Sequence, residues 1–344
     1  MPLKLKDLSK KCESIESVID WLFGLGLLLN LSSCICNFCK AGHFGLRKDS
    51  SYSRDNYIWR CSNKKCNKKI SLRRGSWFEN HNLTLEQIIY ITYFWVYKCN
   101  QEFVIHELEI CQRTIVDWYN YAREICLTIL EKRSDNVIGG PGKTVEIDES
   151  KFGKRKYHKG RKVDGVWVFG GIERDSKKCF FTCVADRTAN TLVFIIKDHI
   201  KPGTTIISDC WKAYSPLDKE GFSHLTVNHS VNFVDPDSGA HTNTIESTWR
   251  ALKKSLPTYG TQKPLYDSYF SQYCIRKLYL IDSPDPFLTF LELVKEVYNP
   301  ESLKNDLTAE RLTPKEPSEP SKKPRTPFTD LTYTNLNNSL DDFQ

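Results

Sequence analysis

Three acidic side chains and two pairs of cysteines are the groups in this sequence best placed to do chemistry. Asp148 closes the strand-like run Thr144-Val-Glu-Ile-Asp148, Asp209 closes Thr204-Thr-Ile-Ile-Ser-Asp209, and Glu246 lies inside the helical stretch Thr242–Lys254. Two strand-end aspartates followed by a helical glutamate suit a site of hard oxygen donors for divalent cations. Glu246, Arg250 and Lys253 fall at i, i+4 and i+7, so they share one helix face. Alone, that triplet is an ordinary surface salt-bridge pattern; the two upstream aspartates favour a metal site. Glu149 is adjacent to Asp148, but strand alternation sets it on the opposite face, and Glu146 on the same face.

The cysteines form two knuckles, Cys36-x2-Cys39 and Cys61-x4-Cys66. Four thiolates so spaced suit tetrahedral zinc in a closed, structural site. A segment this short lacks a core of its own, so the metal would supply its folding energy. Cys34 competes with Cys36 as a ligand; the two-residue gap to Cys39 favours Cys36. Lys64, Lys65, Lys68, Lys69, Arg73 and Arg74 cluster in and after the second knuckle. They are either phosphate contacts or a solvated rim. Cys99, Cys111 and Cys126 have no ligand spacing and read as core residues.

These groups need elements to hold them. The chain has 344 residues, enough for two or three domains with real cores. Hydrophobic residues at 40% and charged residues at 26% are globular values. A net charge of +7 permits a polyanionic partner without demanding one. The start shows no secretory signal, and the apolar run Trp21–Leu29 is too short to span a bilayer, so reduced thiols and no membrane are expected.

Residues 1–33 read as a lead-in with one amphipathic helix around Glu13–Leu28, and 34–78 as the zinc ribbon. Residues 79–135 read as helical. Thr84 with Gln87 predicts a capping box, a second helix runs near Gln101–Glu109, and a third starts near Arg113 with Ile115, Trp118 and Ala122 inward. Helix, short turn, helix is compatible with a helix-turn-helix that reads DNA. The glycine-rich stretch 136–143 reads as a linker.

In 144–300, strands are predicted at Thr144–Glu149, Trp167–Glu173, Cys179–Ala185, Thr204–Ser208 and Leu225–Asn228. Helices are predicted at Leu192–Ile200 and Thr242–Lys254, with more helices over 260–300. Three strands, helix, strand, helix, strand, helix is the order of an α/β, RNase H-like sheet. A basic excursion, with Lys154, Arg155, Lys156, His158, Lys159 and Arg161, interrupts it. The proline-rich, polar stretch 305–344 reads as disordered, with Lys322-Lys323-Pro324-Arg325 a loose nuclear-import pattern.

Several of these runs occur together and in order. They are Val145-Glu-Ile-Asp148-Glu-Ser-Lys-Phe-Gly-Lys-Arg-Lys, Trp167-Val-Phe-Gly-Gly, Ile207-Ser-Asp209-Cys-Trp-Lys-Ala-Tyr and His241-Thr-Asn-Thr-Ile-Glu246-Ser-Thr-Trp. From about Glu13 to Arg276 the chain resembles the ISXO2-like DDE transposases, especially their eukaryotic Merlin branch. The resemblance implies an RNase H-like catalytic domain dependent on magnesium or manganese, with Asp148, Asp209 and Glu246 as the acidic triad and Lys253 as its basic residue. It makes Asn243, about a turn before Glu246, a rival ligand or DNA contact. Gln272 departs from the glutamate that relatives tend to carry there. The resemblance further implies DNA as partner, both element ends and target, a homo-oligomer, and a nuclear location if the host is eukaryotic.

The expected chemistry is two-metal phosphoryl transfer: water cuts a phosphodiester at the element's end, and the 3′-hydroxyl released attacks target DNA. Arg250, Lys253 and Lys254 would hold phosphates beside the site, and His229 and His241 flank it. Lys64, Lys65, Arg73, Arg74 and Arg113 would bind DNA elsewhere. Two other readings stand: a domesticated, catalytically silent DNA-binding protein, and a metal nuclease that cuts without joining.

Overall fold

The structure, a computed structural model, describes residues 2–32, 34–51, 54–153, 165–227, 239–257 and 261–304. The basic residues Lys154, Arg155, Lys156, His158, Lys159 and Arg161, His229, and the tail 305–344 with Lys322 to Arg325 lie outside the described residues.

Two helices, α1 (Leu5–Lys11) and α2 (Ile15–Leu25), stand where one was expected. Ser14 interrupts them: its side chain accepts from the Ser17 N–H and opens a new helix, and Gly26, at φ 71°, closes it. Strands β1 (Phe44–Lys48), β2 (Tyr57–Cys61) and β3 (Lys69–Ser71) form an antiparallel meander, the ribbon. The buried Trp59 indole donates to the Leu29 carbonyl at 2.9 Å and ties the ribbon to the lead-in.

Thr84 and Gln87 form the predicted capping box at the start of α3 (Leu85–Val96). Then come α4 (Gln101–Leu108) and α5 (Gln112–Arg133). Glu109, in the left-handed region at φ 53°, turns the chain between α4 and α5. Ile115, Trp118 and Ala122 are buried as the periodicity predicts.

The segment 136–143 is a strap rather than a loose linker. Its strand β4 (Ile138–Gly139) is fastened by hydrogen bonds from the Gly139 N–H to Glu173 Oε2 and from the Gly140 N–H to Thr204 Oγ1, both 2.8 Å. Next come β5 (Thr144–Phe152), β6 (Val166–Glu173), β7 (Cys179–Val184), α6 (Ala189–His199), β8 (Ile200–Lys201), β9 (Thr205–Asp209), β10 (Ser223–Val227) and α7 (Asn243–Ser255). β4 pairs with β8.

The main sheet runs β10-β9-β5-β6-β7. β5, β6 and β7 are an antiparallel meander, whereas β9 and β10 run parallel to β5. This is the RNase H-like arrangement the element order predicts. Val145, Ile147 and Phe169 face α6 with Leu192 and Ile196. Phe152, Val168 and Ile172 face α7 with Ile245, Trp249 and Leu252.

α8 (Tyr266–Ile275) packs between β7 and α5, with Phe270 against Phe152 and Phe181, and α9 (Pro286–Val297) packs on α3 and α5. The rings of Trp95 and Phe290 lie 4.7 Å apart. One apolar core therefore runs from Leu8 and Trp59 through Trp95 and Trp118 to Trp249 and Phe290. The expected boundary between 79–135 and 144–300 does not divide it. Among the described residues, no helix is long and apolar enough to cross a membrane.

Candidate active site

Strand register builds the site. β5 and β9 pair in parallel through Thr144 and Thr205, Val145 and Ile206, and Glu146 and Ile207. Two residues further along each strand stand Asp148 and Asp209. They are level with each other just past the end of that ladder: Asp209 ends β9, and Asp148 stands where β5 parts from β9 and runs on beside β6.

α7 lies along the face of β5 that carries Glu146, Asp148 and Ser150. Glu146 Oε2 accepts the N–H groups of Thr244 and Ile245, each at 2.9 Å. Trp249 Nε1 donates to Asp148 Oδ2 at 3.0 Å, and Lys253 Nζ donates to Ser150 Oγ at 2.6 Å. The spacing matches by arithmetic. Eight helical residues from Ile245 to Lys253 rise about 12 Å, and four strand residues from Glu146 to Ser150 rise about 13 Å.

The indole of Trp249 reaches Asp148 because Gly170 lies opposite Asp148 on β6. A Cβ on Gly170 would come within 2.7 Å of the Trp249 ring and of Phe181. Glu246 is three residues, nearly one turn, before Trp249, and is half-buried.

Glu146 is fully buried, and its second oxygen accepts from Arg174 Nε at 2.7 Å. Arg174 Nη2 also donates to the His241 carbonyl at 2.8 Å, and His241 Nδ1 lies 3.5 Å from Glu146. Glu146 thus caps α7 from the sheet, where the helix's own N-cap residue, Thr242, makes no side-chain cap hydrogen bond. Strand alternation alone marks Glu146 only as sharing the face of Asp148. The overlooked signal was an acid at an inward strand position two residues before Asp148.

Burial pushes the Asp148 carboxyl up to about 7, and the charges of Glu149 and Asp209 add to the effect, opposed by bonds from the Glu149 backbone N–H and Trp249. Burial also raises Glu149, on the other face, which accepts from the Tyr214 hydroxyl at 2.7 Å. Asp209 Oδ1 accepts from the Trp211 N–H at 3.0 Å. The donor set is thus hard carboxylate oxygen with more negative charge than its neighbours offset, and that fits a divalent cation. Among the described residues, the four thiols are the one group of three or more such ligands whose atoms all lie within 4.8 Å of one another. The three carboxylates stand wider than that.

Cys36 Sγ lies 3.8 Å from Cys66 Sγ, and Cys39 Sγ 3.6 Å from Cys61 Sγ. Four sulfurs each about 2.3 Å from one zinc stand about 3.8 Å apart, so the cluster has the size of a zinc site. The Ala41 backbone N–H beside Cys39 brings its thiol down to about 6, while burial pushes the Cys61 thiol up to about 12, so a bound cation would be needed to draw the protons from all four. Cys34 is not in the cluster.

The predicted DNA contacts divide. Arg250, Lys254 and Asn243 on α7, Arg113 on α5, and Lys64, Lys65 and Arg74 on the ribbon are exposed. Arg73 is not. It is buried, forks onto Asp55 at 2.5 and 2.6 Å, and donates to the Leu83 carbonyl at 2.8 Å. Its donors are directed inward, so Arg73 is a structural brace, and the expectation of a phosphate contact is corrected. Arg123, ten residues after Arg113 on α5, is likewise buried.

Residues 138–279 match the family model described as the ISXO2-like transposase domain. A transposase-like protein of Haemophilus influenzae is 28% identical over 96 residues, 28% of this chain and 76% of that one. The HTLV-2 integrase catalytic core domain aligns at 14% identity and a TM-score of 0.28, over 41% of this chain and 90% of that one. A simian T-cell lymphotropic virus intasome chain aligns at 14% and 0.30, over 68% and 79%. The match spans the strap, the sheet, α7 and α8, and the chain therefore carries an ISXO2-like transposase domain that holds Asp148, Asp209 and Glu246.

Proposed function

We propose that this chain is a DNA transposase that cuts the ends of a mobile element and joins the 3′-hydroxyl to target DNA. Asp148, Asp209 and Glu246 are the ligands of two magnesium or manganese ions. The observation that carries the reading is the level placement of Asp148 and Asp209 on adjacent parallel strands, with α7 clasped to the same edge. When bound, such ions activate the attacking oxygen and steady the leaving one.

The protein's own groups prepare that site. Asp148 holds a proton near neutral pH without a cation and releases it when one binds. Trp249 fixes one Asp148 oxygen, which leaves the other to the ligand. Lys253 reaches Ser150 beside the acids, and Arg250 and Lys254 present cations along α7 for phosphates, with Asn243 at the helix start. Cys36, Cys39, Cys61 and Cys66 hold a structural zinc ion. Lys64, Lys65 and Arg74 on the ribbon, with Arg113 on α5, contact element ends. The enzyme acts as a homo-oligomer of the Merlin branch and works in the nucleus of a eukaryotic host.

The test is metal-dependent cleavage and joining of DNA bearing candidate ends, with Asp209→Asn alongside. Loss of both steps in the variant is expected. An Asp209→Asn protein that cleaves at the wild-type rate refutes the assignment, and cleavage without joining favours the nuclease.

A further inference from the structure

A cavity of about 840 Å³ opens where the helical half meets the C-terminal end of α7. Among the described residues, five cations line it, Lys98, Arg123, Lys254, Arg276 and Lys277, and no Asp or Glu does. Two of them are deeply buried: Arg123 is 5% exposed and Arg276 7%.

Arg123 stacks 4.2 Å from the Tyr269 ring centre and donates from Nη2 to Asn120. Arg276 stacks 4.2 Å from Trp95 and donates to the carbonyls of Val96 and Trp95 at 2.7 and 2.6 Å. In both, Nε is buried and has no hydrogen-bond partner. Among the described residues, no carboxylate forms an ion pair with any of the five. Burial, with the charge of Arg276, draws the Lys98 ammonium down. Buried cations without counter-charge are costly, and an anion that enters supplies what the fold withholds.

We propose that this cavity binds an unpaired nucleotide of a DNA strand, its flanking phosphates on the five cations, Lys98 and Lys277 among them, and its base against the tyrosines Tyr119, Tyr269 and Tyr273. The choice of DNA rests on the function proposed above; the anion chemistry does not. The tyrosine rings in the cavity wall can be reached by a base only once it has left its stack, so the fitting partner is an unpaired nucleotide rather than a duplex. Aromatic faces beside cations are how single strands are held without sequence preference. α7 links the two sites. Glu246 and Lys254 are eight residues apart, about 12 Å along the helix, and Arg250 and Lys253 lie between them. A strand that leaves the acidic site along α7 therefore enters the cavity.

Fluorescence anisotropy of the full chain with a labelled oligothymidylate tests this. Lys98→Gln with Lys277→Gln is expected to weaken binding about tenfold or more. It should also lower the slope of log affinity against log salt by about 1.4, two contacts at about 0.7 each. Arg123→Gln, compared after its unfolding midpoint is measured, should weaken binding as well.

Unchanged affinity and slope in the double variant, where the wild-type chain binds, overturn the cavity and leave the catalytic reading intact. Loss of inorganic phosphate binding without loss of oligonucleotide binding reduces the cavity to a free-anion site and also overturns the proposal. Conversely, an Asp209→Asn protein that cleaves normally, beside a double variant that loses the oligonucleotide, removes the catalytic reading and keeps the cavity.

Discussion

Glu146→Gln is the most informative single change, because one buried carboxylate fastens the helix that carries Glu246. The side chain is fully buried and accepts three bonds: Arg174 Nε at 2.7 Å and the Thr244 and Ile245 N–H groups at 2.9 Å. Glutamine keeps one oxygen for the helix N–H groups but turns an NH2 toward Arg174. Removing one partner of a buried ion pair costs about 3–5 kcal/mol. The retained helix bonds place this change near the lower end, about 3 kcal/mol. At about 2–4 °C per kcal/mol for a domain of this size, Tm falls by roughly 6–12 °C.

The loss is local first. Amides of α7 should exchange faster with deuterium, while those of the distant α2 and β2 stay protected. An Arg174→Met protein should lose a similar amount, and the double variant much less than the sum. Unchanged α7 exchange together with an unchanged Tm would refute the clasp.

Three further outcomes follow from the same geometry. Asp148 is raised above its ordinary 3.8 to about 7, so the folded protein keeps a proton that the unfolded chain has released between those values. Stability of the metal-free protein therefore falls as pH rises through that window, and urea titrations at about pH 5 and about pH 8 check the sign. Asp148→Asn should flatten the dependence, and magnesium should restore stability at the upper end by mass action.

Gly170→Ala puts a Cβ 2.7 Å from Trp249 and from Phe181 and 3.0 Å from the Phe180 carbonyl. It should cost about 1–3 kcal/mol by overpacking, with weaker magnesium binding measured by calorimetry; full stability would show that Trp249 has room to move. Cys61→Ser should leave purified protein without its zinc and unfold the ribbon, read by elemental analysis and by exchange of the β2 amides. Stoichiometric zinc in that variant would place the metal elsewhere.

Much of this molecule was legible along the chain. The runs Thr144–Glu149 and Thr242–Lys254 specified strand and helix, because local sterics and one-sided burial decide both, although the strand runs on to Phe152. The Thr84 capping box and the two cysteine knuckles are short-range patterns and formed as read.

Other features depended on partners far away in sequence. Arg73 looked like one more surface cation until Asp55, 18 positions away, drew it inside. Glu146 became a helix cap only when α7 arrived, 98 residues later. The cation-lined cavity joins side chains from Trp95 to Ile281. Spacing along the chain fixes which faces residues share within one element; which elements meet, and so which charges lose water or find a partner, is settled only by packing.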